Sequence, residues 1–213
     1  MSYQKPALLK AISELRQGKE RKFVESVEVL VSLRDINLKD PSLRFNIESL
    51  LPHPIKKEIK IGLFADGDLA VRAENEGLTV ISQDKFDQIT KNPKEAKKLA
   101  DSHDFFLAER QYMAKVGRFL GKILGPRGKM PKPIAPNVNI QDIKDNYSRT
   151  IRLRLRENPC LNTRIGTLTN SDDELAENIS SCIATLTGRL PRGNQQIRKI
   201  HIKSTMGSSY LIE

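Results

Sequence analysis

The residues best suited to binding chemistry are cations, and their densest group lies between Lys115 and Lys132. Six lysines and arginines fall in this segment without an acidic residue among them. Its second part, residues 125–133, is rich in glycine and proline, so we expect neither helix nor interior strand there. Backbone N–H groups in such a loop can hold a phosphate. Arg127, Lys129 and Lys132 are therefore candidate phosphate contacts, although a solvated run of charge remains the alternative.

A nucleotide-binding P-loop would end in a pair such as Gly128-Lys129, but the spacing here does not fit. The motif requires a glycine five residues before the Gly-Lys pair and a serine or threonine after it, where this chain has Ile123 and Met130. The first apolar strand is followed by Asp66-Gly67-Asp68, which puts carboxylates where a dinucleotide fingerprint holds pyrophosphate. A phosphate-ligand enzyme built on the central segment is kept only as the alternative function.

The groups that usually catalyse reactions or ligate metals are scattered. His53, His103 and His201 lie in different segments, with no recognisable nucleophile motif beside them. Cys160 and Cys182 lack metal-ligand spacing, and Cys182 falls on the apolar stripe of a predicted helix, as a small buried hydrophobe would. We therefore expect no enzymatic activity, no metal and no cofactor.

Two predicted strands combine an apolar face with a cationic one. Arginines alternate with aliphatic residues over 151–156, and basic residues alternate with Ile200 and Ile202 near the end of the chain. The outward residues are Arg152, Arg154 and Arg156 on the first strand and Lys199, His201 and Lys203 on the second. Such faces neutralise phosphates, while Ser204 and Thr205 can reach sugars and base edges. Arg152 and Arg154 join the candidate phosphate contacts.

The composition also favours a polyanionic partner. The chain has 213 residues and a formal net charge of +10, and no apolar run is long enough for a membrane helix. Its start, MSYQKPALLK, lacks the apolar core of a signal peptide, so we expect a cytosolic protein with no membrane partner. RNA is favoured over DNA because the sequence contains no helix-turn-helix, zinc finger or basic zipper.

The elements that must position these residues differ between the outer and central parts of the chain. The outer parts predict helices at 6–17 and 171–188, the second starting with a capping box, and alternating strands at 23–33, 44–51 and 198–205. The central part has continuous apolar runs at 60–65, 79–82 and 105–108 that alternate with helical segments, an order typical of a parallel sheet. The sequence therefore predicts an α/β and α+β fold with two domains. A discontinuous split βαβ-type RNA-binding domain, residues 1–54 and 150–213, would contain an inserted Rossmann-like parallel α/β domain, residues 55–149.

Four motifs, in chain order, resemble those of one family. They are KFVESVEV at residues 22–29, LPH at 51–53, LGPRGKMPKP at 124–133 and STMG at 204–207. This set is similar to ribosomal protein L-one of the large subunit, in an archaeal-type version, and the resemblance spans nearly the whole chain. LGPRGKMPKP is highly specific, and the separate match near the C-terminus makes a coincidence implausible.

The resemblance implies a two-domain protein that binds large-subunit ribosomal RNA and forms the mobile stalk beside the tRNA exit site. Its partners in the cytoplasmic ribosome would be that RNA, tRNA at the exit site and other ribosomal components. It also implies that the protein binds a similar structure in its own messenger RNA and represses translation. We expect a monomer when the protein is free.

Carried over by position, the family's RNA contacts fall on the first strand and near the end of the chain. They are Lys22, Phe23, Ser26 and Glu28, and then Thr205, Met206 and Gly207, to which the cationic strand adds Lys203 and Ser204. A carboxylate at Glu28 can accept hydrogen bonds from base amino groups or ribose hydroxyls. Phe23 and Met206 can pack against sugars, and Gly207 lets two backbones approach closely. For Phe23, packing in the protein core is an alternative that the alternation supports equally.

Overall fold

A computed structural model of the protein describes residues 5–19 and 21–212. The described chain forms two compact units: the split unit, within Met1–Lys57 and Asn146–Glu213, and the inserted unit, Glu58–Asp145. The first has antiparallel sheets and the second a parallel sheet, which confirms the predicted mixed fold class. The first four residues, which entered the signal-peptide inference, lie outside the described residues.

The helices and strands have the following bounds. The helices are α1 (Lys5–Arg16), α2 (Gly67–Asn75), α3 (Gln83–Lys91), α4 (Pro93–Ser102), α5 (Arg110–Arg127), α6 (Ile140–Ser148) and α7 (Asp172–Arg189). The strands are β1 (Ser26–Leu33), β2 (Phe45–Leu50), β3 (Ile61–Phe64), β4 (Thr79–Ile81), β5 (Phe105–Glu109), β6 (Lys132–Ile134), β7 (Thr150–Leu155), β8 (Cys160–Thr167), β9 (Ile197–Ser204) and β10 (Ser209–Ile212). No helix in the described part of the chain has the length and apolar character needed to cross a membrane.

The split unit is built on an antiparallel sheet of strand order β10-β9-β1-β8, and β2 and β7 form a separate antiparallel pair. Val27, Val29 and Val31 of β1 are fully buried and pack with residues of α1 and α7 in one hydrophobic core. Side chains of a strand alternate between two faces, so the residues between these valines lie on the other side. This side, which we call the open face, comprises Glu28, Leu30 and Ser32 of β1, Cys160, Asn162 and Arg164 of β8, and Lys199, His201 and Lys203 of β9.

Helix α7 begins at the predicted capping box. Ser171 Oγ accepts from the Glu174 backbone N–H at 3.2 Å, and Glu174 Oε2 accepts from the Ser171 N–H at 2.9 Å. Lys56 Nζ donates to the same carboxylate at 2.7 Å, and this bond, followed by that from Ser171, lowers the pKa of Glu174 to about 2. Cys182 lies fully buried on the apolar stripe of α7, as predicted, and burial raises the pKa of its thiol to about 12.

The inserted unit contains the predicted parallel sheet, with strand order β4-β3-β5-β6. All four residues of β3 are buried, as expected for a strand covered on both faces. Phe64, Phe86, Phe106 and Tyr112 form an aromatic cluster in the core beside the sheet. The Tyr112 hydroxyl donates to the carboxylate of Asp66, which lies two residues after the end of β3.

The prediction of an irregular loop over residues 125–133 is wrong at its start. Helix α5 continues through Gly125 and Pro126 to Arg127. A proline ring normally clashes sterically with the Cβ of the preceding residue when that residue is helical. Gly125 has no Cβ, so the helix can pass into its last turn despite Pro126.

The same segment then ends the helix and adds a strand. Gly128 has a φ of 67°, and its N–H donates to Gly125 O at 2.9 Å while Lys129 N donates to Leu124 O at 3.0 Å. These two bonds are the usual glycine-terminated end of a helix. Strand β6 follows at the edge of the sheet, where Pro133 is tolerated because an edge strand need not donate on both sides.

Candidate nucleic-acid interface

The turn between β9 and β10, residues 204–207, is fastened to the start of β1. Glu25 Oε1 accepts from Ser204 Oγ at 3.1 Å and from Met206 N at 2.8 Å. Ser26 N donates to Thr205 Oγ1 at 3.1 Å, and that hydroxyl donates to Ser26 O at 3.4 Å. Because these partners lie far apart in sequence, the tertiary fold fixes the conformation of the 204–207 turn.

Glu25 is the organising residue that the sequence analysis missed. Glu25 is only 4% exposed. Burying a carboxylate destabilises the fold unless its oxygens accept hydrogen bonds. The turn supplies those bonds. The available signal was the strand alternation, since position 25 has the same phase as the buried Val27 and Val29.

Gly207 is needed for the turn to close. Its N–H donates to Ser204 O at 3.3 Å. A Cβ added at this position would collide with the Ser204 hydroxyl, which is already committed to Glu25. The lack of a Cβ at Gly207 therefore makes room for the Ser204 side chain, and the predicted close approach of Gly207 to RNA stays a prediction.

Three apolar side chains remain exposed at this site. Phe23 is 54% exposed, Val24 59% and Met206 61%. Phe23 and Val24 line a cavity of about 570 Å³ together with Ser204 and Gly207. Core packing of Phe23, the alternative that alternation supported, is thus excluded, because β1 begins only at Ser26.

Two residues expected to face RNA have buried side chains instead. Ser204 is 5% exposed and Ser26 8% exposed. The Ser204 hydroxyl is directed at Glu25, and the backbone of Ser26 holds Thr205. Their contribution is to shape the turn, whereas Thr205, Met206 and Gly207 are exposed.

The open face continues from the turn through Lys203 and Glu28. In the sheet register Glu28 lies opposite Lys203 of β9 on one side and Arg164 of β8 on the other. A carboxylate is thus flanked by two cations in one row across three strands. Lys22, the other predicted contact, is exposed just before β1. Arg164 was also missed by the sequence analysis, because its strand shows fewer alternating cations than β7.

The cations of β7 lie on a groove within the split unit. Arg152, Arg154 and Arg156 line it from β7 and the following turn, and Asn162 lines it from β8. Arg152 Nη2 approaches Glu48 Oε1 of the paired strand β2 at 3.5 Å. The predicted cationic face therefore exists, and Arg152 on it lies beside a carboxylate.

The cations of the 125–133 segment lie in the inserted unit, where Arg127 and Lys129 bind the protein's own groups. Arg127 Nε donates to Asp101 Oδ1 at 2.8 Å, and this bond holds the pKa of the Asp101 carboxyl below its usual value. Lys129 Nζ donates to Ala100 O at 2.8 Å and His103 O at 2.6 Å. Both side chains tie the end of α5 to the end of α4. Their contact with phosphate, like that of the exposed Lys132, stays a prediction.

Two of the three histidines, His53 and His103, have separate structural partners. His53 Nε2 lies 2.6 Å from Glu177 Oε2, while the buried His103 contacts Leu99 O and Ser102 Oγ through Nδ1. Within residues 5–19 and 21–212, no group of three or more His, Cys, Asp or Glu side chains is arranged to hold a metal ion. The buried Asn178 also binds His53, accepting from its N–H at 3.0 Å, and so fixes the LPH motif to α7.

Comparison with known proteins gives one consistent result. Residues 14–208 match the model of the Ribosomal protein L1p/L10e family. The large ribosomal subunit protein uL1 of Pyrococcus horikoshii is 42% identical over 215 residues, covering 100% of this chain and 98% of the relative. The uL1 proteins of Thermococcus kodakarensis and Methanobrevibacter smithii are 39% and 41% identical, over 100% and 94% of this chain and 100% and 95% of the relatives.

Proposed function

The chain belongs to the ribosomal protein L1p/L10e family, and we propose from this premise that the 204–207 turn and the adjoining open face are its specific RNA-binding site. As a member of that family it is a structural constituent of the large ribosomal subunit that binds ribosomal RNA, and it is not an enzyme. It acts in the cytoplasm as part of the ribosome.

The observation that carries the site assignment is the connection from Glu25 to the turn. It leaves Thr205 and Met206 exposed on a backbone that is already ordered by Ser204 and Gly207. Binding by an ordered surface loses less conformational entropy than binding by a flexible loop. This favours recognition of one folded RNA shape over general attraction to phosphate.

Each exposed group has a suitable RNA partner. The Thr205 hydroxyl can bond to a ribose, and the Glu28 carboxylate can accept from a 2′-hydroxyl or a base amino group. Phe23 and Met206 offer apolar surface to sugars and bases. Lys22 and Lys203 would contribute the phosphate contacts that make binding dependent on salt.

We extend the proposal to the place of the protein in the ribosome. The bound RNA forms the mobile stalk near the tRNA exit site, where tRNA and other ribosomal components are partners. Arg127, Lys129 and Lys132 are proposed phosphate or tRNA contacts of the inserted unit, and Arg152 and Arg154 those of the split unit. The free protein is proposed to be a monomer.

Translational repression is the second proposed function. A site that recognises folded RNA shape would bind the same structure in the protein's own messenger RNA. The discriminating measurement is the affinity of the full chain for a ribosomal stalk fragment against that for its own message. A message bound no better than unrelated RNA would contradict repression and leave the ribosomal function untouched.

The site itself is tested by Thr205→Ala and Met206→Ala in the full chain. Each should weaken binding to a large-subunit ribosomal RNA fragment by about 1 to 3 kcal/mol. The thermal unfolding midpoint should be unchanged in Met206→Ala and slightly lower in Thr205→Ala, because the latter also loses the hydrogen bonds between the Thr205 hydroxyl and the Ser26 backbone. Val71→Ala, which truncates an equally exposed apolar residue of α2 in the inserted unit, is the control. If both turn variants bound the RNA fragment with the affinity of the parent, the 204–207 turn would not be the RNA-binding site.

A further inference from the structure

We propose that the arginine-rich surface formed by β7, the turn after it and β8 is a second RNA-binding surface, which holds the ribose-phosphate backbone of the RNA recognised by the 204–207 turn. This surface, the arginine groove, comprises Arg152, Arg154, Arg156, Asn158 and Asn162, with Arg164 adjoining it on β8. The inference rests on the proposed function, because it extends the same RNA contact beyond the turn.

The groove is a shaped concavity on two packed strands. Its volume is about 460 Å³, and β7, the turn after it and β8 all contribute to its lining. β7 and β8 are consecutive strands of different sheets, and they pack against each other. Side chains on strands are held more firmly than those on loops, so the arginines of β7 project from a fixed backbone.

The groove is continuous with the proposed specific site. Asn162 and Arg164 are two residues apart on β8 and therefore lie on the same face. Arg164 is opposite Glu28, which is opposite Lys203, the residue directly before the turn. Neighbouring strands lie about 4.8 Å apart, so the backbones of Arg164 and Lys203 are separated by about 10 Å in one row.

Arg164 links the two parts of this surface. It is half-buried, and among the described residues its Nε atom is buried without a hydrogen-bond partner. A guanidinium whose stem is enclosed loses little freedom on binding, and its planar group can give two parallel N–H bonds to a phosphate. An anion bound to the terminal nitrogens would also offset the cost of a poorly partnered charge.

The mixture of groups fits RNA better than an acidic protein. Glu28, Glu48 and Glu157 lie among the arginines of this face or groove. These carboxylates would repel the acidic side chains of a protein partner. RNA offers phosphates to the arginines and 2′-hydroxyl donors to the carboxylates, and the amides of Asn158 and Asn162 can bond to either ribose or base.

The test measures affinity of the full chain for a large-subunit ribosomal RNA fragment over a series of salt concentrations. Two variants are used, Arg164→Gln and the double variant Arg154→Gln/Arg156→Gln, because Arg164 is half-buried and its loss could affect folding. Arg189→Gln is the matched control, since it removes an exposed arginine at the end of α7. Thermal unfolding verifies the fold of each variant.

Each phosphate contact removed should flatten the dependence of log affinity on log salt by about one. Preference for the ribosomal fragment over a scrambled RNA of the same length should stay at the parental ratio, because backbone contacts carry no sequence information. The inference would be overturned if both arginine variants were folded and their affinities had the same salt dependence as those of the parent and Arg189→Gln. Variants that bind RNA normally yet lose an acidic ribosomal protein would assign the groove to a protein partner.

The failures of the two proposals are distinguishable. If Thr205→Ala and Met206→Ala bind like the parent, the specific site is wrong whatever the salt slopes are. If these variants lose affinity while the arginine variants keep the parental slope, only the arginine groove is rejected.

Discussion

The 204–207 turn and the 125–133 segment are both unusual in sequence, yet the protein uses their polar groups in opposite ways. In the turn, an internal carboxylate, Glu25, binds the backbone and leaves Thr205 and Met206 exposed. In the segment, the most conspicuous side chains, Arg127 and Lys129, bind the protein's own acceptors. The density of charge in a sequence therefore says less about a binding site than which groups the fold leaves available.

The two segments use their polar groups differently because they lie next to different elements of the fold. The turn follows an antiparallel strand, β9, whose neighbour β1 is directly preceded by the buried Glu25, so the donors of the turn have an acceptor inside the protein. The 125–133 segment ends a helix, where free carbonyl groups attract cations. Lys129 accordingly donates to carbonyls at the end of the adjacent helix α4 and just beyond it.

The largest expected effect is that of Glu25→Ala. The change leaves the Ser204 hydroxyl and the Met206 N–H without their acceptor, which costs about 1 to 3 kcal/mol for each buried donor. We expect a lower unfolding free energy in denaturant titration and at least a tenfold loss of specific RNA affinity.

Glu25→Gln is the matched control for that change. Its amide oxygen can still accept from the turn, so it should recover most of the affinity. The salt dependence of binding should be parental in both variants, because a buried carboxylate supplies no cation to a phosphate. If Glu25→Ala bound RNA like the parent, the turn would not depend on this anchor, and the contrast between the two regions would fail.

Lys129→Met should have the next largest effect, and on stability alone. It removes two bonds from a charged donor to carbonyl oxygens. Because the side chain is partly exposed, the two bonds together contribute about 1.5 to 3 kcal/mol. Denaturant unfolding should show a clear loss of stability, while a ribosomal RNA fragment without tRNA should be bound with the parental salt dependence. Lys122→Met, which removes an exposed lysine of the preceding helix α5, is the control for charge. A flatter slope in Lys129→Met only would mean that this lysine leaves its internal partners to bind RNA.

The smallest expected effect is the pH dependence of the Arg127–Asp101 pair. The hydrogen bond from Arg127 lowers the pKa of Asp101 in the folded protein. A lowered pKa stabilises the fold above the pKa of the unfolded chain, and this contribution disappears as the pH falls through the folded value. Asp101→Asn should therefore be slightly less stable than the parent at neutral pH and equal to it in acid. Both carboxylate and guanidinium are partly exposed, so salt should weaken the difference. The same small difference at all pH values would mean that ionisation of Asp101 does not contribute.

Local patterns predicted much of the fold because they report directly on burial. The alternation at Val27, Val29 and Val31, the continuous run of β3 and the capping box of α7 each correspond to an observed element. The motifs also placed the chain in its family. The failures occurred where one residue changes what its neighbours can do, as Gly125 does for Pro126.

By itself, the sequence determined the two styles of secondary structure, the positive charge and the identity of the family, since these depend on residue type and short-range spacing. Tertiary structure alone decided which polar groups are available. Glu25 meets Met206, and Arg164 comes opposite Glu28, only after strands from the two ends of the chain have paired. The physical reason is that hydrogen bonds and charges act over a few ångströms, whereas these partners are separated by more than a hundred residues along the chain.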